Sequence, residues 1–355
     1  MTLLFEPLTL RGTTFPNRAW VAPMCQYSAR DGIVDDWHLM HLGALATGGF
    51  GLVVAEATAV VAEGRITPRD TGLWDETHVE AWRRVVDFVH ARGSLLGVQL
   101  AHAGRKASTY WPWHERAGSV PPEDGGWTTH GPSEVPFPGY SAPAEMTLEE
   151  IEELPGLFAA AARRALAAGF DVVEVHAAHG YLLHEFLSPL SNQRSDEYGG
   201  SLENRMRLTV QVAAAVRAEW PDDKPLFTRI SATDWAEGGL TVAESTELAK
   251  ELAGVGVDLV DVSTGGNVLV DIPVGPGYQV PAARAVREGA GVPVSAVGLI
   301  TSPQQAEQVL VDGAADAVML GRAALRKPRW ALRAAHELGA SDSVRWQPQF
   351  ARARL

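Results

Sequence analysis

Eight short apolar runs recur along the chain, and most are followed by an amphipathic stretch. They are WVAPM (20–24), GLVVAEA (51–57), SLLGVQLA (94–101), FDVVEVH (170–176), PLFTRIS (225–231), VDLVDVS (257–263), VPVSAVG (292–298) and ADAVMLG (315–321). The runs are continuous rather than alternating, the pattern of parallel strands buried on both faces. Helical patterns lie between them. LENRMRLTVQVAAAVRAEW sets Leu202, Met206, Val210, Ala213 and Val216 on one face. TVAESTELAKELAGVG opens with Thr241 as N-cap, has Glu244 three residues on, and stops at glycine. Eight β–α units predict an α/β chain folded as a (β/α)8 TIM barrel, one domain over 1–355. An open doubly wound sheet is the alternative; the count of eight and the lack of G-x-G-x-x-G after the first strand weigh against it.

Two features go beyond a plain barrel. LTLRGTTFPNR reads as a short N-terminal β-hairpin around Gly12, closing the barrel's bottom. After strand three, His102 to Met146 form a long loop rich in Pro, Gly and Trp, the kind that covers or builds a binding site.

The net charge of −13 argues against nucleic acid or an anionic membrane as partner. A single cysteine, Cys25, excludes a disulfide framework, a cysteine zinc site or a cysteine-ligated cluster within one chain. No run approaches the ~18 apolar residues of a membrane span. The N-terminus is too broken by Glu6, Pro7 and Arg11 for a signal peptide, so a cytoplasmic location is expected.

A barrel's site lies at the C-terminal strand ends. These offer Pro23-Met24-Cys25, Glu56-Ala57, Gln99 with His102, His176 with His179 and Tyr181, Arg229, Ser263 to Gly266, Gly298, and Gly321-Arg322. Glycines in the last three loops, with Arg322, suit a phosphate; singly, each glycine is explained by a tight turn. Arg229 should face an anion, or else a barrel carboxylate. Gln99 both donates and accepts, so the pair suits a polar heterocycle.

The histidines leave two readings. H-x-x-H at 176–179 could hold a metal, with Glu174 or Glu185 as third ligand, in a metal-dependent barrel hydrolase or aldolase. Yet WHLMH (37–41) repeats the spacing in a helix, where structural histidines are expected. Tyr181 favours the other reading: two N–H donors and a phenol that polarise a carbonyl and deliver a proton.

With these residues assembled, the chain resembles the Old Yellow Enzyme family of FMN-dependent ene-reductases, most closely its thermophilic-like bacterial branch with the xenobiotic reductases. The motifs are PMCQYS (23–28), VVAEATAV (53–60), EGRIT (63–67), GVQLAHAGRKAS (97–108), EVHAAHGYLLHEFLSPLSNQRSDEYGGSLENR (174–205), AVGLI (296–300) and LGRAAL (320–325). The resemblance implies non-covalent FMN, reduced by NADPH or NADH. It implies that Pro23, Met24, Cys25, Ala57 and Gln99 line the flavin and that Arg229 sits near its N1–C2=O edge. It implies phosphate ligands among Ser263, Gly265, Gly266, Gly298, Gly321 and Arg322. His176 and His179 would bind the carbonyl oxygen of a small enone, with Tyr27 on the substrate side. Hydride would pass from flavin N5 to the β-carbon and a proton from Tyr181 to the α-carbon. Cys25 stands where the classical enzymes carry threonine. QPQFARARL resembles a tail whose arginine, placed at Arg352 with Arg354 as alternative, reaches a neighbouring site in a homodimer or homotetramer. Some xenobiotic reductases have tryptophan at the place of Val297, so the pocket should be more open there. Trp111, Trp113 and Trp127 either shape that pocket or anchor the long loop.

Overall fold

The computed structural model describes residues 2–354, and in it the eight runs form eight parallel strands. In chain order they are Ala19–Val21, Leu52–Ala59, Leu95–Ala101, Val172–Ala177, Leu226–Ser231, Leu259–Ser263, Val294–Ala296 and Ala317–Leu320. Each pairs with its sequence neighbours, and the eighth pairs with the first (Val318 with Ala19), closing the barrel. Nearly every strand residue is buried, since one face packs inside the barrel and the other under helices. This is the (β/α)8 barrel that the apolar runs predict.

The first strand stops at Val21, short of the predicted run. Pro23 has no N–H to donate to the ladder, so Pro23 to Ser28 are released as a loop over the strand ends. The second strand runs further than expected, to Ala59, and its register shifts between Ala55 and Ala57. Glu56 is the extra residue of that bulge, a device that re-aims a side chain.

The predicted hairpin forms from Leu8–Leu10 and Thr13–Phe15, antiparallel around Gly12. Leu10 and Phe15 pack with Trp20, Leu52, Val172, Phe227, Leu259 and Ala317, which lie at the strands' N-terminal ends. Phe15 lies 4.7 Å from the Trp20 ring, and Trp20 stacks on Phe227 at 5.7 Å. The hairpin therefore plugs the bottom of the barrel.

Thr241 caps the helix Val242–Gly254 in a reciprocal box with Glu244. The helix Leu202–Glu219 departs in part from its predicted face: Leu202 and Val210 are half-buried, while Leu208, Thr209 and Val212 turn inward. Met206, Ala213 and Val216 are buried as predicted. Arg205 is buried too and pairs with Glu244 at 2.6 Å, so a charged residue shares the inner face. The segment after strand three is irregular, with only the two-residue strands His130–Gly131 and Ala144–Glu145. No helix among the described residues is long and apolar enough to cross a membrane.

If the plug supports the barrel, Phe15→Ala lowers unfolding free energy by about 3–5 kcal/mol, the usual cost of emptying a buried phenylalanine site. Urea unfolding followed by tryptophan fluorescence measures this; a loss below about 1 kcal/mol would show that the hairpin does not close the core.

Candidate active site

The site is built upward from a polar floor. Parallel register puts Gln99 beside Glu174, and Arg229 between His176 and Asp261. Gln99 donates through Nε2 to Glu174 Oε1 at 2.7 Å. Arg229 Nε lies 3.0 Å from Asp261 Oδ2 without aligning into a hydrogen bond, and Ser295 donates to Asp261 Oδ1 at 2.7 Å. The barrel carboxylate weighed as Arg229's partner is thus present. Burial, and then the Asp261 charge, push Glu174 above the usual carboxylate range. Glu174 Oε2 and Asp261 Oδ2 are buried without hydrogen-bond partners.

Above the floor, Glu56 accepts from the Gln26 backbone N–H at 2.8 Å and lies 3.4 Å from His38 Nε2. The bulge thereby pins the Pro23–Ser28 loop. His38 also completes the cap of the helix Asp36–Ala46, so the second H-x-x-H is structural there, as expected. The pinned loop delivers Cys25 and Tyr27 against Ala57, Ile66, Ala101, Trp127 and Tyr181. Tyr27 takes a left-handed backbone (φ 49°). Burial, then Asp70 and Glu56, hold the Cys25 thiol well above its ordinary range, so it stays protonated.

His176 is the penultimate residue of strand four. His179 (φ 60°) and Gly180 (φ 71°) then reverse the chain, and Tyr181 starts the helix Leu182–Leu187. The turn gathers all three side chains: His176 is 5.3 Å from the His179 ring and 5.1 Å from that of Tyr181. His179 Nε2 meets Ser263 Oγ at 2.7 Å. Burial, followed by the Arg229 charge, lowers both imidazole pKa values well below the ordinary range. Both rings are therefore neutral, each with one N–H to donate. Burial raises the Tyr181 phenol well above its usual range, so it keeps its proton.

Gly298, Gly321 and Arg322 line one cavity of about 130 Å3, together with Val297, Gln279 and Arg326. Ser263, Gly265 and Gly266 do not line it. Gly266 instead backs onto the histidine turn, where a Cβ would lie 2.7 Å from His179 Cα. Gln279 links the two regions: its Oε1 accepts from Thr264 N and from Ser263 Oγ.

Sequence reasoning missed Gln279, Lys106 and the buried pair His184–Asp234 (3.1 Å), in which His184 Nδ1 also accepts from Gly180 N. The quoted motifs contain Lys106 and His184, but only the fold shows that they hold the turn. Of the two roles weighed for the tryptophans of the long loop, the contacts show the anchoring one. Arg69 lies 3.9 Å over Trp111, and Arg65 lies 5.0 Å over Trp127, anchoring the loop. Trp127 and Trp113 also meet the pocket: Trp113 packs edge-on to Tyr27 at 5.9 Å. At the C-terminus, Arg329 covers Phe350 at 4.2 Å and Arg354 pairs with Asp342 at 2.6 Å, while Arg352 is exposed.

No group of three His, Cys, Asp or Glu among the described residues is arranged to hold a metal. Glu185, one candidate third ligand, accepts from the Arg105 backbone, and Glu174, the other, accepts from Gln99. Comparison with known proteins shows the family. The family model of the NADH:flavin oxidoreductase / NADH oxidase family matches residues 3–340. The chain belongs to that family. It is the family of Old Yellow Enzyme, its members are FMN-dependent oxidoreductases, and the hydrolase or aldolase reading has no support. A NADPH dehydrogenase of Geobacillus thermodenitrificans is 50% identical over 341 residues, covering 95% of each chain. An NADH:flavin oxidoreductase of Gibberella zeae is 47% identical, over 95% of this chain and 86% of the relative. Among solved structures, an old yellow enzyme homologue from Zymomonas mobilis superposes with a TM-score of 0.80 at 28% identity, covering 99% of both chains. Morphinone reductase does so at 0.80 and 27%, over 98% of this chain and 92% of its own.

The floor makes stability depend on pH. A buried acid with a raised pKa holds its proton in the folded state while the unfolded chain releases it, so stability falls as pH rises above the ordinary glutamate value of about 4.3. Glu174→Gln removes that term and keeps an oxygen for Gln99. Between about pH 5 and pH 8 the variant's unfolding midpoint should fall less than the wild type's. Parallel curves would contradict a protonated Glu174.

Proposed function

We propose that this chain is an NAD(P)H-dependent ene-reductase that reduces the activated C=C bond of small α,β-unsaturated carbonyl compounds. The observation that carries this is the gathering of two neutral imidazoles and a protonated phenol, with the His179 and Tyr181 rings 5.3 and 5.1 Å from that of His176, beside a floor bearing Gln99 and Arg229.

The residues fit FMN. Glu174 Oε2 has no hydrogen-bond partner, and Arg229 Nε and Asp261 Oδ2 are paired without an aligned bond, so the floor keeps hydrogen-bonding capacity for a heterocycle with carbonyls and ring nitrogens. Pro23, Met24, Cys25 and Ala57 would wall that ring. Gly298, Gly321 and Arg322 would hold the phosphate in their cavity, with Ser263, Gly265 and Gly266 shaping the adjoining loop. When bound, FMN supplies a hydride obtained from NADPH or NADH.

The rest is done by the chain. The substrate's carbonyl oxygen accepts hydrogen bonds from His176 and His179. These strengthen as enolate charge develops, so they favour the transition state over the ground state. His179 has Nε2 engaged by Ser263, which leaves Nδ1 for the substrate. Ser263 has a single hydroxyl hydrogen, so for Nδ1 to carry the proton that hydrogen must turn from Gln279 Oε1 to His179 Nε2. Tyr181 passes its phenolic proton to the α-carbon; a weak acid suffices because an enolate carbon is strongly basic. Tyr27, Trp113 and Trp127 screen the pocket from water. Of the two tail arginines, Arg354 is tied to Asp342, which favours Arg352 as the one offered to a neighbouring copy in a homodimer or homotetramer.

Rapid mixing under anaerobic conditions separates the two half-reactions. Tyr181→Phe should slow flavin reoxidation by cyclohexenone at least ~100-fold, the scale of lost general-acid catalysis, and leave reduction by NADPH nearly unchanged. Equal slowing of both would refute the proton-donor role. His176→Ala should weaken binding of a phenolic ligand by roughly tenfold or more, the scale of one lost charge-assisted hydrogen bond. Unchanged affinity would remove His176 from the clamp.

A further inference from the structure

The turn that carries His179 and Tyr181 is held by a residue outside the clamp. Lys106 lies in the short turn Gly104–Lys106 after strand three. Its ammonium donates to the His179 carbonyl at 2.7 Å and to the Gly266 carbonyl at 3.0 Å. Gly266 is left-handed (φ 93°) and backs directly onto His179. One side chain from the third loop thus ties the fourth loop to the sixth, where two backbones approach too closely for any side chain between them.

The same ammonium lies 5.0 Å from the Tyr181 ring centroid and 4.5 Å from that of Phe137. Lys106 is half-buried, and both its hydrogen bonds go to carbonyls rather than to a carboxylate. Such a cation costs desolvation that a simple tether would not require. A neutral amide could make the same two bonds. The positive charge strengthens both bonds and, lying over the Tyr181 ring, also meets the negative charge that develops there when the phenol gives up its proton.

We propose that Lys106 is a positioning residue for the proton transfer, locking the His179–Tyr181 turn and stabilising the tyrosinate that remains when Tyr181 gives up its proton. The inference rests on the ene-reductase reading. In the step, the Tyr181 O–H bond breaks and a C–H bond forms at the substrate's α-carbon. The negative charge moves from the enolate to the phenolate oxygen, which solvent then reprotonates. Lys106 keeps its own proton throughout.

Several groups face the ammonium. Tyr181, the neutral imidazoles of His176 and His179, and Glu185 come from the fourth loop and its helix. Arg105 is its neighbour in sequence, and Phe137 closes the side of the long loop. Burial lowers the lysine pKa to about 8, with Arg105 acting in the same direction and Glu185 against it. The wild-type oxidative half-reaction should therefore slow as pH rises through that value, where the ammonium becomes a neutral amine.

The test uses the FMN-loaded enzyme and two variants. Lys106→Met removes both hydrogen bonds and charge; Lys106→Gln keeps donors for the two carbonyls but no charge. Both should slow flavin reoxidation by cyclohexenone about tenfold or more, the scale of a desolvated cation beside an aromatic ring. Reduction by NADPH should stay within about twofold of wild type, since Tyr181 takes no part in it. Amide exchange at residues 179–181 should quicken in Lys106→Met and stay near wild type in Lys106→Gln. A wild-type reoxidation rate in Lys106→Gln or equal slowing of both half-reactions would overturn the role. If enones fail to reoxidise even the wild-type flavin, the ene-reductase reading itself falls and takes this role with it.

Discussion

A closed barrel of eight parallel strands must fill its own interior, and the way this one does so sets everything above it. The lower half is apolar: the hairpin drives Phe15 onto Trp20 and Phe227 and seals the N-terminal end. The upper half is polar: Gln99 with Glu174, and Arg229 with Asp261, stand in register on adjacent strands. Buried polar groups are tolerated only when paired, and the pairing here is incomplete. The floor thus keeps unused hydrogen-bonding capacity at the end of the barrel where ligands bind. His176 stands in register with Arg229, and His179 and Tyr181 gather around His176.

Much of this was legible in the sequence because parallel strands buried on both faces leave an unmistakable mark. All eight runs are strands, and the strand-end rule led to Gln99, His176 and Arg229 without a structure. The departures have identifiable causes. Pro23 cuts the first strand short, and the second carries a bulge at Glu56. An inward Arg205 widens the buried face of the helix 202–219 beyond the one that its apolar residues suggest. Periodicity cannot foresee such a charge, because its partner, Glu244, lies 39 residues away.

The two H-x-x-H pairs show the limit of spacing as evidence. His38 lies in a helix, closes a cap and meets Glu56. His176 and His179 lie at a strand end and a left-handed turn, beside a tyrosine and over an arginine. The spacing is identical and the surroundings decide. What holds the second pair in place was not legible at all: Lys106, His184–Asp234 and Gly266 act through backbone carbonyls and close approaches that only the folded chain brings together. Even the glycines grouped by sequence divide in space. Gly298 and Gly321 line the small cavity, while Gly266 supports the histidine turn.

The central claim is that one face of this site delivers a hydride to the β-carbon of an enone while Tyr181 protonates the α-carbon. The most direct measurement is product analysis by NMR and mass spectrometry, with 2-methylcyclohexenone turned over in D2O using unlabelled NADPH. In samples quenched before the product enolises, the expected result is a saturated ketone with deuterium at the α-carbon that bears the methyl group, in a single configuration, and hydrogen from the reductant at the β-carbon. An allylic alcohol with the C=C bond intact, or a racemic α-centre formed at the rate of enolate protonation by solvent, would contradict it.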